Sequence, residues 1–218
     1  MRALTLEQAR AWYPPDDIHG YGHIRRVYAL AMQLAQAEGG DAQVIAAAVL
    51  LHDAAEANPN QEGRAAHHHA SAAFARRILE AEEWTEERIQ AVEHCIRAHR
   101  YRDRREEPAT LEAKIVFDAD KLDAIGAIGV ARALAHAALS GAPFFAPPSE
   151  HFLRTGQTEK DEPHSAYHEY AFKLRKIRER LYTPTARRMA AERHALMERY
   201  FAQLQAEAGN PMPPVLEA

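Results

Sequence analysis

The stretch "HGYGHIRRVYALAMQLAQAEGGDAQVIAAAVLLHDAAE", residues 19–56, decides the fold. Within 22–37, Val27, Leu30, Ala31 and Leu34 recur at the three- and four-residue steps of one helical face. Gly39 and Gly40 stop that helix, and Asp41 is a good N-cap for the next, which turns Val44, Ala48 and Leu51 inward. The second helix then ends on His52, Asp53 and, three residues later, Glu56, groups that are costly to bury without partners. Either the chain has reached solvent there, or the three groups share a task that outweighs their desolvation.

Working outward, nearly every periodic segment reads as helix. A third helix is expected from about 68 to 82, with Phe74 and Ile78 on its inner face, and Thr85 followed by Glu86 and Glu87 opens a fourth carrying Ile89, Val92 and Ile96. Residues 110–139 hold one long helix or two abutting ones, with Gly126 and Gly129 marking close packing or a bend. The Pro- and Gly-rich segment 140–166 reads as a long loop, and a loop of that length inside a compact domain is more often functional than idle. Tyr167, Tyr170, Leu174, Ile177 and Leu181 mark another helix, and Thr183-Pro184 supplies the N-cap and first-turn proline of a last one through Met189, Leu196, Tyr200 and Leu204. No strand-length alternation and no internal repeat is present. The expected fold is a single all-α domain over 1–218, a helical bundle with its core at about 19–140, the loop 140–166, and C-terminal helices at 166–206. The last helix serves as a brace or as the seam of a homodimer.

A chain of 218 residues can bury a substantial core, and its net charge of −4 gives no basic footprint for duplex nucleic acid or an anionic membrane. The single cysteine, Cys95, excludes an internal disulfide and lies in the apolar-periodic "IQAVEHCIRA", where a small core residue is the expected role. No apolar run approaches the ~18 residues of a membrane span, and the start of the chain shows no basic-then-apolar signal pattern; a cytoplasmic location is expected.

Thirteen histidines are many, but their placement matters more than their number. His23 opens the first long helix, His52 and Asp53 are adjacent at the end of the second, and Asp120 lies in "FDADKLDAIG" on a later one. Three separate helices thus offer ligands beside apolar residues, and a divalent cation relieves the cost of burying them, two imidazoles and two carboxylates leaving open positions for water. Glu56 is four residues from His52 and three from Asp53, hence on the same face, where it is placed to hold an attacking water and take its proton.

The ordered set H…HD…D in a helical chain resembles the HD-domain metal-dependent phosphohydrolases, and in particular the small stand-alone bacterial HD hydrolases, some of which are nucleotide pyrophosphohydrolases. "HGYGHIRRV", "AAVLLHDAAE", "TLEAKIVFDADKLDAIGAIGVAR" and "HEYAFKLRKIRERLYTPTARRMAAERHALMERYF" carry the resemblance, from residue 19 to about 201. It implies that His23, His52, Asp53 and Asp120 ligate the metal, that Asp118 supports them from behind, and that Glu56 activates water. It also implies that Lys121 contacts substrate phosphate, as a lysine does in related triphosphohydrolases. The segments 57–69 and 140–166 depart from the family pattern and are expected to shape the substrate pocket.

Arg26 is either a phosphate contact or half of an ion pair holding a carboxylate. Of the adjacent His67, His68 and His69, His69 is expected to face the pocket, and His99 likewise; with them the chain has the order H…HD…H…H…D of two-metal HD proteins. His168 and Tyr170 pack the domain or close over substrate, and "RYRDRRE", 100–106, is a solvated end or a rim that draws phosphates in. The expected activity is hydrolysis of a small phosphate compound, first a (deoxy)nucleoside triphosphate with release of pyrophosphate, using one divalent ion (Mn, Mg, Co, Ni, Fe or Zn). The alternatives are an HD-fold di-iron oxygenase and a non-catalytic nucleotide-binding module.

Overall fold

The computed structural model describes residues 1–55, 61–100 and 106–208, of which 61–67 only as helical backbone. Ten α-helices and no strand occur among the described residues. They are α1 (Leu6–Ala9), α2 (Tyr21–Glu38), α3 (Ala42–Leu51), α4 (Gln61–Ala81), α5 (Glu86–Ala98), α6 (Leu111–Asp123), α7 (Gly126–Leu139), α8 (Glu150–Thr155), α9 (Ala166–Phe172) and α10 (Pro184–Ala208). The all-α expectation holds. No single helix among the described residues is long and apolar enough to cross a membrane.

The chain divides into two compact units. One comprises Met1–Asp123 with Leu181–Met189, the other Ala124–Arg180 with Ala190–Ala218. In the first, α2 packs on α3 and α6, α4 on α5, and α3 and α6 both meet α5. The expected inner face of α2 is the buried one, Val27, Leu30, Ala31 and Leu34, joined by Ile24. In α3 not only Val44, Ala48 and Leu51 but also Ile45, Ala47, Val49 and Leu50 are buried. A helix apolar all round belongs at the centre of its unit, and neighbours on several sides put it there.

α4 departs from expectation by one residue of phase. Among its described side chains the buried ones are His68, Ser71, Ala72, Ala75 and Leu79, while Phe74 and Ile78 are only half-buried. A one-residue shift turns a helix by about 100°, enough to exchange which of two adjacent histidines faces inward.

Thr183 and Pro184 open α10 as the sequence predicts. The Thr183 hydroxyl accepts from Ala186 N–H at 3.3 Å, and Asp118, fully buried on α6, accepts from Tyr182 N–H (2.9 Å), Thr183 N–H (2.7 Å) and the Thr183 hydroxyl (2.7 Å). Burial pushes the Asp118 carboxyl above its usual range despite these three donors.

The 110–139 region resolves into two helices, α6 in the first unit and α7 in the second, and Gly126 begins α7 with φ +78°, a left-handed value that glycine adopts without strain. The expected loop 140–166 contains α8, capped by Ser149. The segment 166–181 is not one helix: after α9 the chain tightens into a 3₁₀ helix, Leu174–Arg180. Its buried residues, Leu174 and Ile177, lie three apart, one turn of a 3₁₀ helix. His168 is buried, its ring bonded to the Ser165 hydroxyl at 2.7 Å and Glu162 at 3.1 Å, and Tyr170 stacks on Phe201 at 4.2 Å. Both therefore pack the unit.

Candidate metal centre

Three histidines come from three helix ends. At the start of α2, Tyr21 N–H donates to Pro14 C=O (2.8 Å) and Gly22 N–H to Asp16 C=O (3.1 Å), so the preceding turn folds back over the helix. A Cβ on Gly20 would lie 2.1 Å from the Pro14 oxygen, which is why "HGYGH" spends a glycine there. That turn sets His23 in the first turn of α2, with Nδ1 2.7 Å from Asp123 Oδ2.

His52 and His99 are the C-cap residues of α3 and α5. The last carbonyls of a helix have no partner within it, and each ring turns back onto one: His52 Nδ1 to Val49 C=O at 2.8 Å, His99 Nδ1 to Ile96 C=O at 2.5 Å. A carbonyl oxygen only accepts, so Nδ1 carries the proton and the Nε2 of the neutral ring presents its lone pair.

Those Nε2 atoms meet carboxylates. His23 Nε2 lies 3.5 Å from Asp120 Oδ1, His52 Nε2 3.4 Å from Asp53 Oδ2, and His99 Nε2 3.5 Å from Asp53 Oδ1. With the protons on Nδ1, acceptor faces acceptor, an arrangement that calls for a cation between them. His52 Nε2 is buried and makes no hydrogen bond among the described residues. The donor set, imidazole nitrogen with carboxylate oxygen, suits a divalent metal ion. The fit is therefore good.

The ligand atoms gather in two overlapping groups, His23–His52–Asp120 and His52–Asp53–His99, within each of which the donors lie within 4.8 Å of one another. The four residues expected to surround one ion are thus brought together through His52, but Asp53 groups with His99 and not with His23 and Asp120. Burial alone would raise the Asp120 carboxyl; the charge of Lys121, foremost among the basic groups beside it, opposes this and the group lies below the usual carboxylate range. Burial lowers His99, against the opposing pull of Asp53.

The remaining expectations divide. Lys121 is part of the site, its ammonium against Asp120 Oδ2 and 5.4 Å above the Phe117 ring. Arg26 proves to be the ion-pair alternative: Nε and Nη2 donate to the Asp123 carboxylate at 2.7 and 3.2 Å, and the guanidinium also binds Asp17. His69 is exposed and its neighbour His68 buried, following the shifted phase of α4, so the inward position falls to His68. His99 belongs with Asp53 and His52. Asp118 does not support the site from behind; it holds the Tyr182–Thr183 turn. Cys95 is a core residue, its thiol pushed up by burial. Glu56 lies outside the described residues, as do 101–105.

The residue that backs His23, Asp123, lies outside the set that the sequence pattern singles out. The signal was present as a doubled spacing: Asp120 and Asp123 are three apart on α6, as His23 and Arg26 are on α2, and these two helices pack together.

A helical core that delivers histidines from three helix ends to aspartates on α6 and after α3 is the architecture of a His/Asp metal-site domain. Residues 20–125 match the HD domain family. YpgQ of Bacillus subtilis is 30% identical over 207 residues, 91% of this chain and 91% of that protein. The crystal structure of YpgQ in complex with ADP matches with a TM-score of 0.71 at 29% identity, covering 96% of this chain and 99% of that one. A crystal structure from Lactobacillus plantarum matches with a TM-score of 0.74 at 30% identity, covering 94% of each chain. An HD-superfamily hydrolase from Bacillus thuringiensis matches with a TM-score of 0.68 at 28% identity, covering 94% of this chain and 97% of its own. The chain belongs to the HD-domain family.

Proposed function

We propose that the protein is a metal-dependent phosphohydrolase acting on nucleotides, with a (deoxy)nucleoside triphosphate as first-choice substrate and pyrophosphate as the released group. The observation that carries the reading is the convergence of Nε2 lone pairs and carboxylate oxygens on His52, an arrangement with no purpose in a dry core. The ADP held by YpgQ supports a nucleotide over other phosphate compounds.

His23, His52, Asp53 and Asp120 hold the ion in this proposal. A divalent cation supplies, when bound, a Lewis acid for a phosphoryl oxygen and a lowered pKa for water. Around it the chain's own groups position the reaction. Lys121 sets a point charge at the edge of the site, suited to a phosphate oxygen. Glu56, by its spacing from His52 and Asp53, takes the proton of the attacking water. The rings, each fixed through Nδ1, need no reorganisation as charge develops.

A second reading keeps the group His52–Asp53–His99 for another ion, as the di-iron oxygenase alternative requires. One experiment separates them: metal content after purification, followed by a nucleotide panel with added Mn²⁺, Mg²⁺, Co²⁺ or Ni²⁺. Pyrophosphate release supports the proposal, and orthophosphate release makes the protein a phosphatase. Two iron atoms per chain with oxygen consumption would move it to the oxygenase. Turnover of none of them would leave a nucleotide-binding module.

A further inference from the structure

We infer that Asp123 is a positioning residue for His23: its carboxylate, clamped by Arg26, holds the ring in the Nδ1–H form and aims Nε2 at the space shared with His52 and Asp120. The inference deepens the metal reading above and rests on it for the identity of what Nε2 meets.

The need for Asp123 follows from where His23 sits. His52 and His99 are C-cap residues, and each finds an unspent carbonyl three residues back on its own helix. His23 is in the first turn of α2, where the unspent backbone groups are N–H donors. The carbonyl three residues back, that of Gly20, already accepts from Ile24 N–H at 3.3 Å. A ring at this end of a helix has no local acceptor for Nδ1–H, so the acceptor comes from another element. Asp123, one turn beyond Asp120 on α6, supplies it at 2.7 Å and is only 1% exposed.

A buried carboxylate is itself costly, and Arg26, one turn beyond His23, compensates it. The guanidinium bonds Oδ1 through Nε and Oδ2 through Nη2, which fixes the plane of the carboxylate as well as its charge. The same guanidinium is held from outside by Asp17, through its carbonyl at 2.7 Å and its carboxylate at 3.3 Å. A plain ion pair between α2 and α6 would need Arg26 and Asp123 but no histidine. A core histidine would need one acceptor but no charged clamp. Asp17, Arg26, Asp123 and His23 in series order the one ring that the backbone cannot order. A carboxylate partner also raises the basicity of a ligating imidazole, which a carbonyl does less.

The test uses the full chain labelled with ¹⁵N-histidine, free of metal and in alkaline buffer where the rings are neutral. Wild-type His23 should show a protonated Nδ1 and a bare Nε2, and Asp123→Ala should shift it toward the other tautomer. Mn²⁺ affinity measured by calorimetry without nucleotide should fall about 10–100-fold in Asp123→Ala. Arg26→Gln, at a partly exposed position that perturbs the core less, should move both readouts in the same direction by less. Wild-type His23 protonated on Nε2 overturns the inference whatever the metal does. So does unchanged Mn²⁺ affinity in both folded variants. A wild type with the expected tautomer that takes up no divalent ion supports the ring placement and refutes the metal reading, so the two failures are told apart.

Discussion

Replacing Asp118 by alanine tests whether this carboxylate belongs to the site, as its place two residues before Asp120 suggests, or to the fold, as its contacts show. Its oxygens receive two backbone N–H groups and one hydroxyl from Tyr182 and Thr183, 64 and 65 residues away in sequence. Thr183 in turn caps α10 through Ala186. Alanine leaves both N–H groups without their acceptor, at about 1–3 kcal/mol each where they stay buried. The hydroxyl retains its acceptor role and swings toward Ala186, so its loss is small. The cost of keeping Asp118 charged in a buried place, visible in its raised pKa, is recovered in the variant and trims the total. About 3 kcal/mol of destabilisation is the expected result, or roughly 10 °C in melting temperature for a chain of this length. Thermal melts by circular dichroism measure the first quantity, and Mn²⁺ calorimetry at 10 °C, where the variant stays folded, measures a second that should equal wild type. A melting shift within about 1 °C would show that the Tyr182–Thr183 turn does not depend on Asp118. A folded variant with weakened Mn²⁺ binding would return Asp118 to the site.

Two further outcomes follow from burial and charge. His68→Ala should lower stability or turnover measurably while His69→Ala stays within about 0.5 kcal/mol of wild type in melts, as expected of a surface change; equal effects would undo the phase assigned to α4. Glu162 accepts from Ser149 N–H above all, then from Glu159 N–H, His168 and the Ser149 hydroxyl, and these hold its carboxyl at about 2, down from 4.5. A depressed pKa contributes stability that is complete above 4.5 and fades as pH falls toward about 2. Amide exchange across 149–162 should therefore accelerate through that window, and Glu162→Gln should show the acceleration already at neutral pH; a variant with wild-type protection at pH 7 would refute the staple.

The parts of the molecule legible in the sequence are those set by local rules. The Gly39–Gly40 stop, the Asp41 cap and the Thr183-Pro184 start follow from backbone chemistry within a few residues and are found where they are predicted. His23, His52, Asp53 and Asp120 stand out in the sequence because ionisable groups interrupt apolar faces. What stayed hidden needs a neighbour to decide it. The phase of α4 is not legible locally because Phe74 and Ile78 are the larger apolar residues, whereas the interface takes Ala72 and Ala75. The choice between Arg26 as phosphate contact and as ion pair turned on Asp123, 97 residues away. The split of the candidate ligands into two groups turns on His99, brought to Asp53 by α5.

The position of the His52-Asp53 pair at a helix end, not within a helix, is itself a physical requirement. Within an α-helix adjacent side chains diverge by about 100°, and the Val49 carbonyl would be occupied by an N–H four residues on. Ending α3 at Leu51 leaves that carbonyl for the His52 ring, and residues 52–55 form a turn in which Asp53 comes within 3.4 Å of His52 and 3.5 Å of His99. His99 repeats the device at the end of α5. The apolar face of α3 thus stops where it does because the termination of the helix converts unspent backbone acceptors into fixed imidazole lone pairs. Extending α3 by one turn would satisfy the backbone and remove the acceptor that orients His52.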